Sequence, residues 1–247
     1  MPKINVYLPD DLATAVRAAG IPVSPVCQQA LAAAVRSVTG VRAAIELIRS
    51  PDFDPASHPG IAEPMEARMT ARLSGILRLA RQAGGGQAGT THLLTAVLDH
   101  GSTQALGVLL LEAIDISPDD VRARLAQAAG HAEPGEGEGP GEASGGLTRA
   151  AWRALAAAAE AAIEMGHHYL GSEHLILGLL AEPDSTGGRV LRELGGDPAK
   201  ARRVLASMLS AYRYGREKTV PPGGGDVLAE VLRRLDTLES QVASLSR

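Results

Sequence analysis

The chain has 247 residues, of which 45% are apolar and only 2% aromatic, and its formal net charge is −4. This length can bury a core, and this composition favours a helical protein packed on Ala, Leu and Val. The negative charge argues against a uniformly basic nucleic-acid binder. Cys27, the single cysteine, excludes an internal disulfide framework. No apolar run reaches the ~20 residues that span a bilayer, and no signal peptide is discernible, so we expect a cytoplasmic protein.

The first predicted elements are one strand and two helices. Residues 3–8, KINVYL, alternate apolar and polar side chains, which is the pattern of a half-buried strand. Asp10 or Asp11 can cap a first helix, and Ser24 can cap a second one that begins with a proline.

Strand, helix, turn and helix within residues 1–50 resemble the ribbon-helix-helix family. A lone strand cannot satisfy its own edges, so this segment would pair with a second chain in a two-stranded ribbon. The resemblance implies a homodimer that binds operator DNA. Lys3, Asn5 and Tyr7 would read base edges, and the amides after Ser24 would hold a phosphate. The alternative is a dimerisation arm that touches no DNA, which the small number of basic side chains in this segment favours.

Two helical repeats are predicted to follow a linker rich in Pro, Asp and Ser at residues 51–64. The first repeat covers 65–129, with helices predicted at 66–83, 90–99, 102–113 and 118–128. An acidic, glycine-rich linker is predicted at 130–146. The second repeat covers 147–214, with helices predicted at 148–165, 172–182, 186–194 and 198–213. Each repeat is too small to bury its apolar faces alone, so we expect the two to pack as one domain.

A duplicated turn is the strongest sign of the repeats. GTTHLLTAVL, at residues 89–98, aligns with GSEHLILGLL, at residues 171–180. Glycine, a hydroxyl side chain, histidine and the following leucines recur in the same order, which indicates an internal duplication. In the second copy we predict Ser172 as the N-cap of a buried helix, with Glu173 at the positive end of its dipole.

The longer stretch GHHYLGSEHLILGLL, at residues 166–180, and the later GGRVLRELG resemble the Clp ATPase N-terminal domain. This paired-repeat module opens ClpC- and ClpA-type unfoldases. The resemblance implies a mainly α fold, in which two pseudo-repeated four-helix units pack as one domain. It also implies recognition of Clp substrates, adaptor proteins and, in ClpC-type members, phosphorylated arginine. The resemblance further implies binding of cyclic peptide antibiotics, which in the family bind near the repeat junction.

The resemblance also implies a set of ligand-binding residues. In the family each repeat supplies a Thr at the start of its first helix, for the phosphate, and a Glu in its turn, for the guanidinium. The matching residues here are Thr148 and Glu173, beside Ser172, in the second repeat, and Thr70 and Thr91 in the first. Thr91 cannot form the charge pair, so we expect the second repeat to hold the stronger site. The alternative is that Thr148 and Glu173 only cap helices.

The C-terminal residues predict a short coiled coil. Residues 215–226 predict a linker, and residues 227–247 predict a helix. Its apolar side chains step by three and four residues, at Leu228, Val231, Leu235, Leu238, Val242 and Leu245. This seam would reinforce a dimer held at the N-terminus. The alternative is a helix that docks on its own domain.

We expect no catalytic, cofactor or metal site. Residues 84–91 have the glycine spacing of a phosphate-binding loop, but Thr90 stands where that loop needs a lysine. His167, His168 and His174 lack the spacing of a zinc-binding helix. Together with the resemblance to the Clp N-terminal domain, this implies a non-enzymatic module that captures Clp substrates, adaptors, phosphoarginine-marked proteins or Clp-directed cyclic peptides, as adaptor or decoy for a ClpC-type unfoldase. The alternative is a ribbon-helix-helix transcription regulator whose Clp-like domain senses a ligand.

Overall fold

The computed structural model describes residues 4–100, 105–129 and 146–219. The chain in these ranges is mainly helical, which confirms the predicted fold class. The helices are α1 (Asp10–Ala18), α2 (Val23–Arg49), α3 (Glu63–Glu66), α4 (Ala71–Ala83), α5 (Thr90–Asp99), α6 (Leu106–Ala113), α7 (Pro118–Ala129), α8 (Arg149–Glu164), α9 (Ser172–Ala181), α10 (Thr186–Glu193) and α11 (Pro198–Thr219).

The chain divides into two compact units, Met1–Pro198 and Ala199–Arg247. The second unit is described only through α11, which continues to Thr219. The linker predicted at 215–226 therefore starts within a helix. The coiled-coil helix predicted at 227–247, and the acidic linker predicted at 130–146 except for its last residue, lie outside the described residues.

The N-terminal segment differs from the sequence prediction in two details. Residues 4–9 form neither helix nor strand in the single chain, and Lys3 lies outside the described residues. A strand gains its hydrogen bonds from a neighbour, so the paired ribbon stays a prediction. The predicted caps at Asp10 or Asp11 and at Ser24 are wrong, because α1 already begins at Asp10 and α2 already begins at Val23. Ser24 lies in the first turn of α2, where its hydroxyl accepts a hydrogen bond from the Gln28 side-chain amide at 3.3 Å.

Helix α2 is exposed in its first part and packed at its end. Its buried side chains are Val41, Ala44, Ile45 and Ile48. These residues pack on α8, and the Arg49 guanidinium donates to the Glu160 carboxylate of α8, with Nη1 at 2.9 Å from Oε1. That hydrogen bond is the chief reason that the pKa of Arg49 is raised. The last turns of α2 therefore belong to the helical body formed by the repeats.

The segment predicted as a linker at 51–64 covers part of α8. Phe53 is only 4% exposed, and its ring meets that of Trp152 edge-on at a centroid distance of 6.3 Å. Asp54 caps a short 3₁₀ turn, Pro55–Ser57, by accepting from the Ala56 amide at 3.0 Å. Since burial of an aromatic ring stabilises the contact, this segment is held against the repeats.

Four repeat helices begin at a hydroxyl side chain that accepts a hydrogen bond from an amide of the first turn. Thr70, Ser117, Thr148 and Ser185 accept from Leu73, Asp119, Ala151 and Gly188 at 3.1–3.2 Å. Such caps satisfy amides that have no partner inside the helix. The helix predicted at 66–83 accordingly begins later, at Ala71, because residues 67–70 lead into the cap.

Helix α9 lies at the centre of the repeats and packs chiefly on α8. Its residues 172–180 are all buried, as the sequence predicted for this helix. Gly178 allows the two helices to approach closely, since a Cβ atom there would lie 2.1 Å from the Ala154 carbonyl oxygen.

Candidate ligand-binding site at the repeat junction

The two repeats exchange backbone partners at the starts of their first helices. Met69 and Leu170 form a parallel bridge. The Thr70 amide donates to the Leu170 carbonyl at 2.9 Å, and the Leu170 amide donates to the Arg68 carbonyl at 2.7 Å. The start of α4 in the first repeat therefore lies against the turn of the second repeat. We call this contact, from Thr70 to Arg72 and from Leu170 to Glu173, the junction site.

The reciprocal contact joins the second repeat to the turn of the first. Ala88 and Leu147 form the other parallel bridge. The Thr148 amide donates to the Ala88 carbonyl at 3.0 Å, and the Ala88 amide donates to the Gly146 carbonyl at 2.8 Å. Thr148 thus lies beside the turn that leads to Thr91, whereas Thr70 lies beside the turn that leads to Glu173. From the sequence we placed Thr148 and Glu173 in one ligand site and Thr70 and Thr91 in another. That prediction did not include the exchange, in which each threonine lies beside the turn of the opposite repeat.

Two buried hydroxyls hold the repeats together next to these bridges. Ser172 Oγ accepts from the Gly107 amide at 3.2 Å, and Thr90 Oγ1 accepts from the Gly187 amide at 3.1 Å. The predicted N-cap role of Ser172 is therefore wrong, because α9 has Gly171 as its N-cap and Ser172 as its first residue. The hydroxyl of Ser172 instead satisfies a backbone donor of the other repeat.

Histidines at the third position of α5 and α9 perform the capping. His92 Nδ1 accepts from the Gly89 amide, and His174 Nδ1 accepts from the Gly171 amide, both at 3.1 Å. Burial, with smaller contributions from the charges of His167 and Arg68, lowers the pKa of His174 to about 3. His174 is therefore neutral at physiological pH, and its proton lies on Nε2. That N–H donates to His167 Nδ1 at 2.8 Å.

Glu173 is a buried ionisable side chain at the junction site. It is only 2% exposed, and its Oε1 has no hydrogen-bond partner among the described residues. Burial raises the pKa of Glu173, whereas hydrogen bonds from its own backbone amide, from Tyr169 and from Ser172, together with the charge of Arg72, oppose that rise. A buried carboxylate oxygen without a donor is costly, so a donor from a ligand would be bound favourably there.

The predicted site residues fall into three separate groups. Glu173, Thr70 and Ser172 lie at the junction site, where the hydroxyl of Ser172 already accepts from the Gly107 amide. Thr148 and Thr91 belong to the reciprocal contact, where Thr148 is buried and Thr91 is half-buried in the first turn of α5. The group assigned to nucleic acid lies elsewhere, on the N-terminal segment, where Tyr7 is 91% exposed and Asn5 and Ser24 are also exposed.

Arg72 is a residue of the junction site that the sequence analysis missed. Its Nη1 is buried and has no hydrogen-bond partner in the described part of the chain. A cation in the first turn of a helix opposes the helix dipole, and this was the available signal in the sequence.

Neither a metal-binding cluster nor a membrane-spanning helix occurs in the described ranges. No group of three or more His, Cys, Asp or Glu side chains there is placed to hold a metal ion. None of the helices there combines the length and the apolar character that crossing a membrane requires.

The exchanged bridges, the duplicated turn and the buried central helix define a paired helical-repeat domain. Residues 146–243 match the family of the Clp repeat (R) N-terminal domain. The chain is 29% identical to the chloroplastic ClpA homolog of Brassica napus, an ATP-dependent Clp protease ATP-binding subunit, over 76% of this chain and 20% of that protein. It is 30% identical to the chloroplastic chaperone protein ClpC1 of Arabidopsis thaliana, over 68% of this chain and 17% of that protein. It therefore carries a Clp N-terminal repeat domain, homologous to the corresponding regions of ClpC and ClpA chaperones.

The chain spans about a fifth of the length of the chaperones that it matches. Among solved structures, it is similar to the N-terminal domain of the caseinolytic protease associated chaperone ClpD from Arabidopsis thaliana. The TM-score is 0.44 at 22% identity, and the match covers 58% of this chain and 96% of that one.

Proposed function

We propose that this chain is a non-catalytic, Clp-associated binding module whose junction site binds phosphoarginine on Clp substrates or adaptors. The observation that carries the proposal is the buried Glu173 carboxylate, whose Oε1 has no hydrogen-bond partner among the described residues. A guanidinium is the donor that best matches a carboxylate, because it presents several N–H groups in a planar fork. In this role the module serves as an adaptor or a decoy for a ClpC-type unfoldase.

The start of α4 provides groups that could bind the phosphoryl group of the ligand. Thr70 caps this helix, and the first amides of a helix have no intrahelical acceptor. A helix start therefore attracts a phosphate through both its free amides and its dipole. Since the exchanged bridge holds Thr70 against the turn of Glu173, one ligand would contact both repeats.

A calorimetric titration of the full chain with phosphoarginine tests this proposal. We expect Glu173→Gln to weaken binding about tenfold or more, because a charge-assisted pair is lost. Glu46→Gln is the matched control, since it makes the same change at an exposed position on α2. Wild-type affinity in Glu173→Gln would contradict the proposal. Saturable binding of ATP in the same assay would contradict the non-catalytic assignment.

A second candidate function concerns the N-terminal segment. Within the described ranges, the exposed large hydrophobic side chains all lie between residues 4 and 35, namely Ile4, Val6, Tyr7, Leu12, Ile21, Val23, Val26, Leu31 and Val35. A concentrated apolar surface favours contact with another protein. A second copy of the chain is the partner that also completes the ribbon of residues 3–8. This observation supports a ribbon-helix-helix dimer, and in such a dimer Lys3, Asn5 and Tyr7 would contact DNA.

Sedimentation at micromolar concentration tests this second candidate. We expect the wild type to sediment as a dimer and Leu31→Asp to sediment as a monomer. Gln29→Asp, which adds the same charge at another exposed position of α2, should remain dimeric. A wild type with the mass of one chain would contradict the dimer. If Asn5→Ala and Tyr7→Ala leave DNA affinity unchanged, only the dimerisation role survives.

A further inference from the structure

Arg72 occupies a position that helix energetics disfavours. It lies in the first turn of α4, two residues after the cap at Thr70, where its charge opposes the helix dipole. No acidic residue lies in that turn to compensate. The equivalent helix of the second repeat also has a cation in its first turn, Arg149, but that guanidinium donates to the Ser50 and Pro51 carbonyls. Arg72 differs from it because its buried Nη1 has no hydrogen-bond partner among the described residues, which points to a role other than stabilising the helix.

Arg72 and Glu173 present complementary groups at the junction site without satisfying each other. Arg72 Nη1 is a buried donor and Glu173 Oε1 is a buried acceptor, and neither has a hydrogen-bond partner among the described residues. The bond from the Thr70 amide to the Leu170 carbonyl fixes the two backbones that carry them. The site therefore offers one unmatched donor and one unmatched acceptor, which a ligand with both an acceptor and a donor would satisfy.

We propose that Arg72 determines the specificity of the junction site, by admitting a guanidinium only when that guanidinium carries an anionic group. This inference rests on the proposed function, because Glu173 is taken to hold the guanidinium. Glu173 alone would attract any arginine side chain. The Arg72 charge repels an unmodified guanidinium, whereas it donates to the oxygens of a phosphoryl group attached to one. Specificity of this kind needs a repulsive element as well as an attractive one.

Parallel titrations of the full chain with phosphoarginine and with arginine test this inference. We expect Arg72→Gln to lower the affinity for phosphoarginine about tenfold or more, because a charge-assisted hydrogen bond is lost. The same variant should bind arginine at least as well as the wild type does. The ratio of the affinity for phosphoarginine to that for arginine should therefore fall about tenfold or more. Arg78→Gln, an exposed charge removal on the same helix, should leave both affinities unchanged.

A second variant distinguishes a change in ligand specificity from misfolding of the chain. Arg72→Lys retains the charge but loses the planar fork, so it should bind phosphoarginine more weakly while still rejecting arginine. Equal losses for both ligands in Arg72→Gln, or an unchanged preference, would overturn the inference.

The outcomes also separate this inference from the function on which it rests. A wild type that binds phosphoarginine through Glu173, with a preference that survives in Arg72→Gln, overturns only the role of Arg72. A wild type that does not bind phosphoarginine overturns both.

Discussion

The Thr70 amide donates a hydrogen bond of 2.9 Å to the carbonyl of Leu170, and this bond joins the first helix of one repeat to the turn of the other. Thr148 makes the reciprocal bond to Ala88 at 3.0 Å. Each turn is thus completed by the opposite repeat. A single repeat would leave these backbone groups without protein partners, so the two repeats stabilise each other.

The close crossing of α8 and α9 depends on Gly178. A Cβ atom there would lie 2.1 Å from the Ala154 carbonyl oxygen and 2.8 Å from the Ala158 amide nitrogen. Both are backbone atoms, which cannot rotate away. We expect Gly178→Ala to lower the free energy of unfolding by about 1–3 kcal/mol or more, as overpacking does, and urea denaturation measures this change.

Gly40→Ala provides the control for this substitution. Gly40 also lies inside a helix, α2, but a Cβ atom there would meet only the Pro64 side chain at an ordinary 3.5 Å. Alanine has the better helix propensity, so Gly40→Ala should stabilise the chain by about 0.5–1 kcal/mol. A loss of stability of equal size in both variants would contradict the close-packing argument.

Acid should destabilise the fold through His174. Its pKa is about 3 in the folded chain, against an ordinary value of 6.5. Between these values the unfolded chain binds a proton that the folded chain does not, so stability falls as the pH falls below 6.5. At about pH 5 this histidine alone should lower the free energy of unfolding by about 2 kcal/mol relative to neutral pH.

Comparison with His174→Gln isolates this contribution. A glutamine can still accept from the Gly171 amide but does not titrate. Between neutral pH and about pH 5, the free energy of unfolding of His174→Gln should therefore fall by about 2 kcal/mol less than that of the wild type. His168→Gln is the control, because His168 is exposed. Urea denaturation at both pH values provides the measurement. Equal pH dependence in wild type and His174→Gln would show that this imidazole is not held neutral.

The sequence predicted the repeat helices well because each carries local signals. Helix α5 begins and ends at the predicted residues, Thr90 and Asp99. The cap at Thr148 marks the start of α8, and Ala and Leu periodicity marks the interiors. Such signals depend only on neighbouring residues.

What the sequence could not predict depends on contacts between distant residues. Ser172 Oγ accepts from the distant Gly107 amide instead of forming the cap that its residue type and position indicated. The burial of Phe53 against Trp152 likewise makes a packed segment from residues that favour a linker by composition. Thr70 bonds to the turn of the second repeat and Thr148 bonds to the turn of the first. This exchange of backbone partners follows from the pseudo-symmetric docking of the two repeats, and no local sequence pattern specifies it.

The exchange predicts which threonine acts together with Glu173. Because Thr70 adjoins the turn of Glu173, their contributions to phosphoarginine affinity should be coupled in a double-mutant cycle of Thr70→Ala and Glu173→Gln. Coupling of at least about 0.5 kcal/mol is expected for groups that contact one ligand. Thr148→Ala is the matched control, since it removes an equivalent helix cap beside the other turn. Thr148 and Glu173 should contribute additively, and calorimetric titration of the four combinations of each pair measures both terms. Coupling to Thr148 with additivity for Thr70 would instead mean that each repeat binds its ligand within itself.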